Sequence, residues 1–372
     1  MTTQTQKTLT LNCPINTTSY GYVSTYLYLE LIKNGYDINH VAIGPTQSDS
    51  YLTPKIESVL RKNNEYNIKD PVLKIWHQHD LSFLGRGIKI GFPIFELEDF
   101  SSLEKYSLKT PDELIVCSKW AQKVIQDKIG RSSVVLPLGY DSSIFAPASM
   151  PERDVTIFGN FGKFEIRKGH DVLIDIFNKA FTPKDNVCLV MMPHNFFLNQ
   201  QETDRWVKKY KSTPMGDRIM FVSRQESQQM VYNIMKQIHC GVFPARAEGW
   251  NLEALELLAT GRHLIITDVT GHTEFCNNAN SRLVKMESGK EKASDGKFFD
   301  GSFEWHAIGN NEIDQCVEHM RSVHKLRLDN NLGINEEGIA STGKYTWKQI
   351  GYQLHDIIKK VTNEGNCGAK HS

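Results

Sequence analysis

Short β-prone apolar runs alternate with longer stretches of helical periodicity along most of this chain, a pattern that predicts parallel sheets covered by helices. In the first half the strand-like runs fall at 8–13, 38–43, 73–77, 88–93, 113–118 and 133–138. Between the first two, a helix over 20–34 opens beside Gly21 and stops before Gly35. Two prolines and small polar residues give 140–154 the composition of a linker. A second alternation then places strands at 155–159, 187–192, 218–223, 240–244 and 264–267, and helices at 169–181, 201–211, 228–238 and 251–260. Helical patterns at 311–330 and 346–361 complete the chain, while 287–300, rich in Gly, Lys, Glu, Asp and Ser, reads as a mobile surface loop. No solenoid repeat or low-complexity tract interrupts this order, so two doubly wound halves are expected.

A length of 372 residues suits two domains of ordinary size. With 43 basic and 43 acidic side chains, no global field draws the protein to nucleic acid or an anionic membrane; either would need a local patch. The seven cysteines (13, 117, 188, 240, 276, 316 and 367) are scattered singly without a C-x-x-C pair, which reads as reduced core thiols and no metal knuckle. The opening MTTQTQKTLTLN has no apolar signal core, and no run approaches the roughly 18 apolar residues needed to cross a bilayer. A cytoplasmic setting is therefore expected, and the sequon at Asn16-Thr17-Thr18 reads as accidental.

Chemistry concentrates in the run from 243 to 274, where Glu248 and Glu256 flank a predicted helix start with seven residues between them. A strand, a loop and a helix N-terminus in succession leave backbone N–H groups near Gly249, Trp250, Asn251 and Leu252 that attract a diphosphate. Glu248 in the loop is then placed to bond sugar hydroxyls, and Glu256, two turns on, the hydroxyls of a ribose. The basic run GKFEIRKG at 162–169 also joins a strand to a helix, so Lys163 and Lys168 are candidate phosphate cations. It is no Walker A loop, because neither Ser nor Thr follows the first lysine. His77-Gln78-His79-Asp80 lies past a strand's C-terminal end, where open α/β sheets hold ligands, with His79 a candidate contact to the reaction centre and Asp80 a candidate base. Gly21 is a candidate for close approach to phosphate or sugar. Plainer readings stand beside these: helix capping for Gly21 and the glutamates, solvated charge for the basic run, and a structural strand-end role for His77.

With Ala259, Gly261, Gly271 and Glu274, the 248–274 stretch resembles the E-x7-E signature of glycosyltransferase family 4, retaining nucleotide-sugar enzymes of the GT-B fold. The 162–169 run is similar to that family's G-R-x4-K-G, with Lys168 at the lysine and Lys163 where arginine is usual, which keeps charge but loses the bidentate fork. His77 and His79 resemble its first-domain H-x-H; its second histidine has no counterpart in 88–96, where Pro93 or Phe95 stands near the expected place with Glu96 or Glu98 as a candidate polar replacement, and Gly21 stands where a glycine pair is usual. Further likeness lies in 112–118 and in P-L-G-Y-D-S-S-I-F at 137–145, while Ser223 and Arg224 fall where the family holds the nucleobase.

The resemblance implies a GT-B architecture of two Rossmann-like α/β domains facing across a cleft. Residues 1–145 plus 345–372 would form the acceptor-side domain with a returning C-terminal helix, and 151–344 the donor domain. It implies retaining transfer of a sugar from a nucleoside-diphosphate sugar to a hydroxyl acceptor, a glycan or other glycoconjugate. No cofactor and no metal are expected, in keeping with the lack of a D-x-D motif. Gln78-His79-Asp80 is also similar to phage DNA α-glucosyltransferases, which act on hydroxymethylated bases, so nucleic acid enters only as an acceptor. The competing classes are a sugar-nucleotide epimerase and a non-catalytic sugar-nucleotide or glycan-binding protein.

Overall fold

A computed structural model of the chain describes residues 7–49, 51–60 and 67–368. The reading of residues 1–6 and that of the Cys367 thiol lie outside what is described. Two compact units result: Met1–Phe95, Asp99–Asp141 and Lys344–Ser372 form the first, Glu96–Glu98 and Ser142–Gly343 the second.

The first unit runs β1 (Lys7–Cys13), α1 (Ser19–Lys33), β2 (Tyr36–Ala42), α2 (Thr53–Leu60), β3 (Val72–Trp76), β4 (Lys89–Pro93), α3 (Ser102–Ser107), β5 (Glu113–Val116), α4 (Lys119–Ile129) and β6 (Val134–Val135). Its strands pair in parallel in the order β2-β1-β3-β4-β5-β6. Leu9, Thr10 and Leu11 on β1 are wholly buried, as a central parallel strand covered on both faces requires. Connections leave β1 in opposite directions towards β2 and β3, so the loops after β1 and β3 flank a topological switch point. Thr18 caps α1, accepting a bond from the N–H of Gly21, and the helix ends at Asn34 ahead of Gly35, whose φ is +84°. The strand expected over 133–138 shrinks to two residues.

The second unit continues with β7 (Thr156–Phe161), α5 (His170–Ala180), β8 (Val187–Met192), α6 (Gln200–Lys211), β9 (Ile219–Phe221), α7 (Gln228–Met235), β10 (Cys240–Phe243), α8 (Leu252–Ala259), β11 (His263–Thr267) and β12 (Arg282–Val284). Then come β13 (Lys290–Ser294), β14 (Asp300–His306), α9 (Asn310–Leu328) and α10 (Glu336–Thr342). The parallel sheet is ordered β12-β11-β10-β7-β8-β9, the common doubly wound nucleotide-binding order, with its switch point between β10 and β7. Phe158, Phe177, Leu189, Val242, Ile265 and Met320 pack in its core. The last helix, α11 (Trp347–Gly368), belongs to the first unit, where Trp347 stacks on Tyr26 at 5.3 Å.

The mobile loop expected over 287–300 is instead largely part of an ordered hairpin, β13 pairing antiparallel with β14. Ala293 and Trp305 are buried and cluster with Ala247, Leu97, Ile166 and Phe299, so one inward alanine on β13 and the alternation of β14 hold a segment whose composition alone reads as solvated. Among the described residues no helix is long and apolar enough to cross a membrane, and the six described thiols are free.

Candidate functional site

Loops leaving β7 (162–169) and β10 (244–251) meet at the second unit's switch point, stitched by the Arg246 N–H donating to the Arg167 carbonyl at 2.7 Å. Around that stitch lies a chain of alternating charge. Buried Arg167 donates to Glu248 Oε2 and to Glu165 Oε2, both at 2.8 Å, and to the Ala247 carbonyl at 2.7 Å. Lys168 Nζ reaches Glu248 Oε1 and Lys163 Nζ reaches Glu165 Oε1, each at 2.6 Å. Glu96, from the short segment that joins this unit, stands 3.9 Å from Arg167. Each of Glu165 and Glu248 thus gives one oxygen to Arg167 and the other to a lysine.

Burial alone would raise the Glu248 pKa, but the Arg167 and Lys168 charges outweigh it and hold the carboxyl well below its usual range. Glu165 follows the same balance, with Arg167 and Lys163 overcoming burial. Glu96 goes the other way: burial, only partly offset by Arg167, raises its pKa. Lys168 is held charged, its own burial outweighed chiefly by Glu248.

Backbone contacts fix Glu248. The Thr270 hydroxyl lies 2.8 Å from both its N–H and its carbonyl, and the Gly271 N–H donates to that carbonyl at 2.9 Å. A side chain at 271 would bring its Cβ within 2.2 Å of the Gly249 carbonyl oxygen, so glycine is needed for this approach. Thr270 and Asn251 adopt positive φ, 46° and 86°, the kind of local strain that persists only where surroundings over-determine it. Asn251 caps α8 through Oδ1, which accepts from the Ala254 N–H, and its Nδ2 donates to His272 Nε2 at 3.0 Å. His272 Nδ1–H then donates to the Thr267 carbonyl at 2.9 Å, which fixes the tautomer.

The β7 loop rests on a matching device. Glu165 N–H donates to His170 Nδ1 at 3.1 Å, His170 Nε2–H donates to Asn160 Oδ1 at 2.8 Å, and Asn160 Nδ2 donates to the Val242 carbonyl at 2.8 Å. Burial pushes both His170 and His272 down to about 4, so each loop stands on a neutral histidine. At the turn into α5, Gly169 takes φ +74° against the Pro244 carbonyl.

Of the residues singled out from sequence, Lys168, Glu248, Gly249, Trp250, Asn251 and Leu252 come together here, and Lys163 joins them through Glu165 and Arg167. Trp250 is buried against Phe275 at 5.2 Å, and Glu256 is buried on α8. Ser223 and Arg224 are exposed beyond β9, with the Arg224 guanidinium 4.6 Å from the centre of the Phe196 ring. Gly21, His79 and Asp80 belong to the first unit. The space a side chain would fill at Gly21 is taken by Asn16, so this glycine serves packing of the chain's own loop. His79 is exposed and stacks on His77 at 5.3 Å, while the Tyr20 hydroxyl, donating to the Ile94 carbonyl at 2.6 Å, lies 3.4 Å from His77 Nδ1. Asp80 Oδ1 accepts from Ser82 Oγ at 2.6 Å and Lys74 Nζ at 3.0 Å, and these bonds, Ser82 foremost, lower its pKa and weaken it as a base. Sequence reasoning missed Arg167, Glu165, Thr270, His170 and His272. A signal for the first two was present: Glu165 and Arg167 straddle Ile166 with strand-like alternation.

Residues 152–294 match the family model described as Glycosyl transferases group 1. An uncharacterized glycosyltransferase of Methanocaldococcus jannaschii is 25% identical over 246 residues, 60% of this chain; the match spans 62% of that relative's length. Sucrose-phosphate synthase of Thermosynechococcus elongatus superposes with a TM-score of 0.69 at 14% identity, covering 96% of this chain and 100% of that one. Anabaena HepE in complex with UDP-glucose gives 0.67 at 14% identity, covering 95% and 99%. The fold is therefore GT-B, with two Rossmann-like parallel-sheet units, and the family-model match supports a glycosyltransferase.

Proposed function

We propose that this chain transfers a sugar from a nucleoside-diphosphate sugar to a hydroxyl acceptor with retention of configuration and without a divalent metal. The observation that carries the reading is the Lys168–Glu248 pair at the switch point, beside the start of α8. Lys168 and Lys163 supply the cations that a departing diphosphate needs, and the helix N-terminus adds its partial charge. Glu248, ionised and oriented, accepts hydroxyls of the donor sugar; Glu256 serves the ribose, and Ser223 and Arg224 the base. His79 and Asp80 are the proposed acceptor-side residues, with His79 the better candidate because Asp80 is engaged by Lys74 and Ser82. Retention follows if the acceptor attacks on the face that the diphosphate leaves, with the leaving phosphate taking the proton. The acceptor is a glycan or other glycoconjugate, and free, mostly buried thiols fit a reducing, cytoplasmic setting.

The HepE complex makes a UDP-hexose the first donor to try. Labelled UDP-, GDP- and ADP-sugars, incubated with the protein, EDTA and fractionated glycan acceptors, should yield a labelled product whose anomeric NMR coupling matches the donor. An inverted product removes retention, transfer that returns only with added Mn²⁺ or Mg²⁺ removes metal independence, and failure to bind any of these nucleotides removes the donor site.

A further inference from the structure

Both candidate phosphate lysines are already occupied, Lys163 by Glu165 and Lys168 by Glu248, so a diphosphate has to draw each away from a carboxylate. Removing one partner from a buried pair is costly because the remaining charge is left uncompensated. Arg167 meets that difficulty. It already donates to the second oxygen of both carboxylates, and its bond to the Ala247 carbonyl keeps it in place. Exposure separates the three cations: the Lys163 side chain is 37% exposed and Lys168 12%, against 5% for Arg167. The lysines are the more open to solvent, and the arginine is enclosed.

We infer that Arg167 is a positioning residue that holds Glu165 and Glu248 compensated, freeing Lys163 and Lys168 to exchange from carboxylate to diphosphate when the donor binds. The inference rests on the donor-site reading above and adds the component that lets a site already paired within itself accept an anion. A guanidinium suits the task because it stays charged and its fork addresses two carboxylates at once. Lysine at 167 would reach one at a time.

Calorimetric titration of the full chain with UDP, GDP and ADP tests this. For whichever nucleotide the unaltered chain binds, Arg167→Gln should weaken affinity about tenfold or more, with Arg167→Lys in between. Adding Glu165→Gln to Arg167→Gln should restore most of the loss, because Lys163 no longer has a carboxylate to neutralise. An arginine that merely fills space predicts no such recovery, since the second change removes one more polar bond. If Arg167→Gln fails to fold, as judged by circular dichroism, Glu165→Gln alone decides: tighter binding than the unaltered chain supports exchange, and unchanged or weaker binding overturns it. Full affinity in a folded Arg167→Gln protein, or a double variant no better than the single, also overturns it while leaving the donor site standing. A chain that binds none of the three nucleotides overturns both.

Discussion

At the first unit's switch point the loop after β3 ends in side chains that meet water, His79 exposed and Asp80 partly so, and an ion pair there joins Asp80 to buried Lys74. At the second unit's switch point the loops after β7 and β10 bury two carboxylates and an arginine in a continuous circuit that ends in a lysine on either side. The sheets are alike in being six-stranded and parallel. The difference teaches where residue identity is constrained. A pair whose carboxylate is open to water, as Asp80 is, is less constrained than a network in which both carboxylates and the arginine are buried, where removing one member costs several kcal/mol.

The largest expected effect breaks that circuit. Glu248→Ala leaves Lys168 without its carboxylate and Arg167 with Glu165 alone, and should cost about 3–5 kcal/mol in denaturant unfolding, more than Asp80→Ala, which leaves buried Lys74 bonded to Ser82. Equal losses at the two sites would erase the contrast. Next comes ligand affinity: Lys168→Ala should weaken UDP binding about tenfold or more, the worth of a charge-assisted bond. His79→Ala should leave UDP affinity unchanged while lowering turnover, and a matching loss of affinity there would move nucleotide binding into the first unit.

A separate effect is a pH slope. His170 and His272 bind protons less readily folded, at about 4, than at their ordinary 6.5, so between those values the unfolded chain carries more protons. Their contribution is complete above pH 6.5 and lost as pH falls towards 4, at up to about 1.4 kcal/mol per pH unit for each group. Thermal unfolding at pH 7 and pH 5 should show the decline, and His272→Gln should flatten it. An unchanged slope would mean that the neutral histidines do not govern acid stability.

Much of this was legible beforehand, and the reasons differ by element. β8 was read residue for residue because VCLVMM is a buried apolar run between polar turns. The hairpin was not, because β13 spells KEKAS, whose lysines and glutamate read as loop; its partner carried the usable signal, with Phe303 and Trp305 two apart. Within the site, the family motif over 162–169 specifies cations only at 163 and 168, and Arg167 falls at one of its unspecified positions. Spacing along a chain identifies which residues share a loop. It does not reveal that an arginine from one loop and a glutamate from another, 81 positions on, join in a single network. His272 was hidden for a related reason, since its partners Asn251 and Thr267 lie on different elements.

Asn251 is read at both ends of its amide: the oxygen by the Ala254 N–H at 3.2 Å, the nitrogen by His272 at 3.0 Å. Aspartate caps a helix as well as asparagine does, yet it has no hydrogen to offer the lone pair of a neutral imidazole. Asn251→Asp would keep an oxygen for the α8 cap and confront His272 with a carboxylate in place of a donor, so the one amide ties the start of α8 to the histidine that braces the loop after β11.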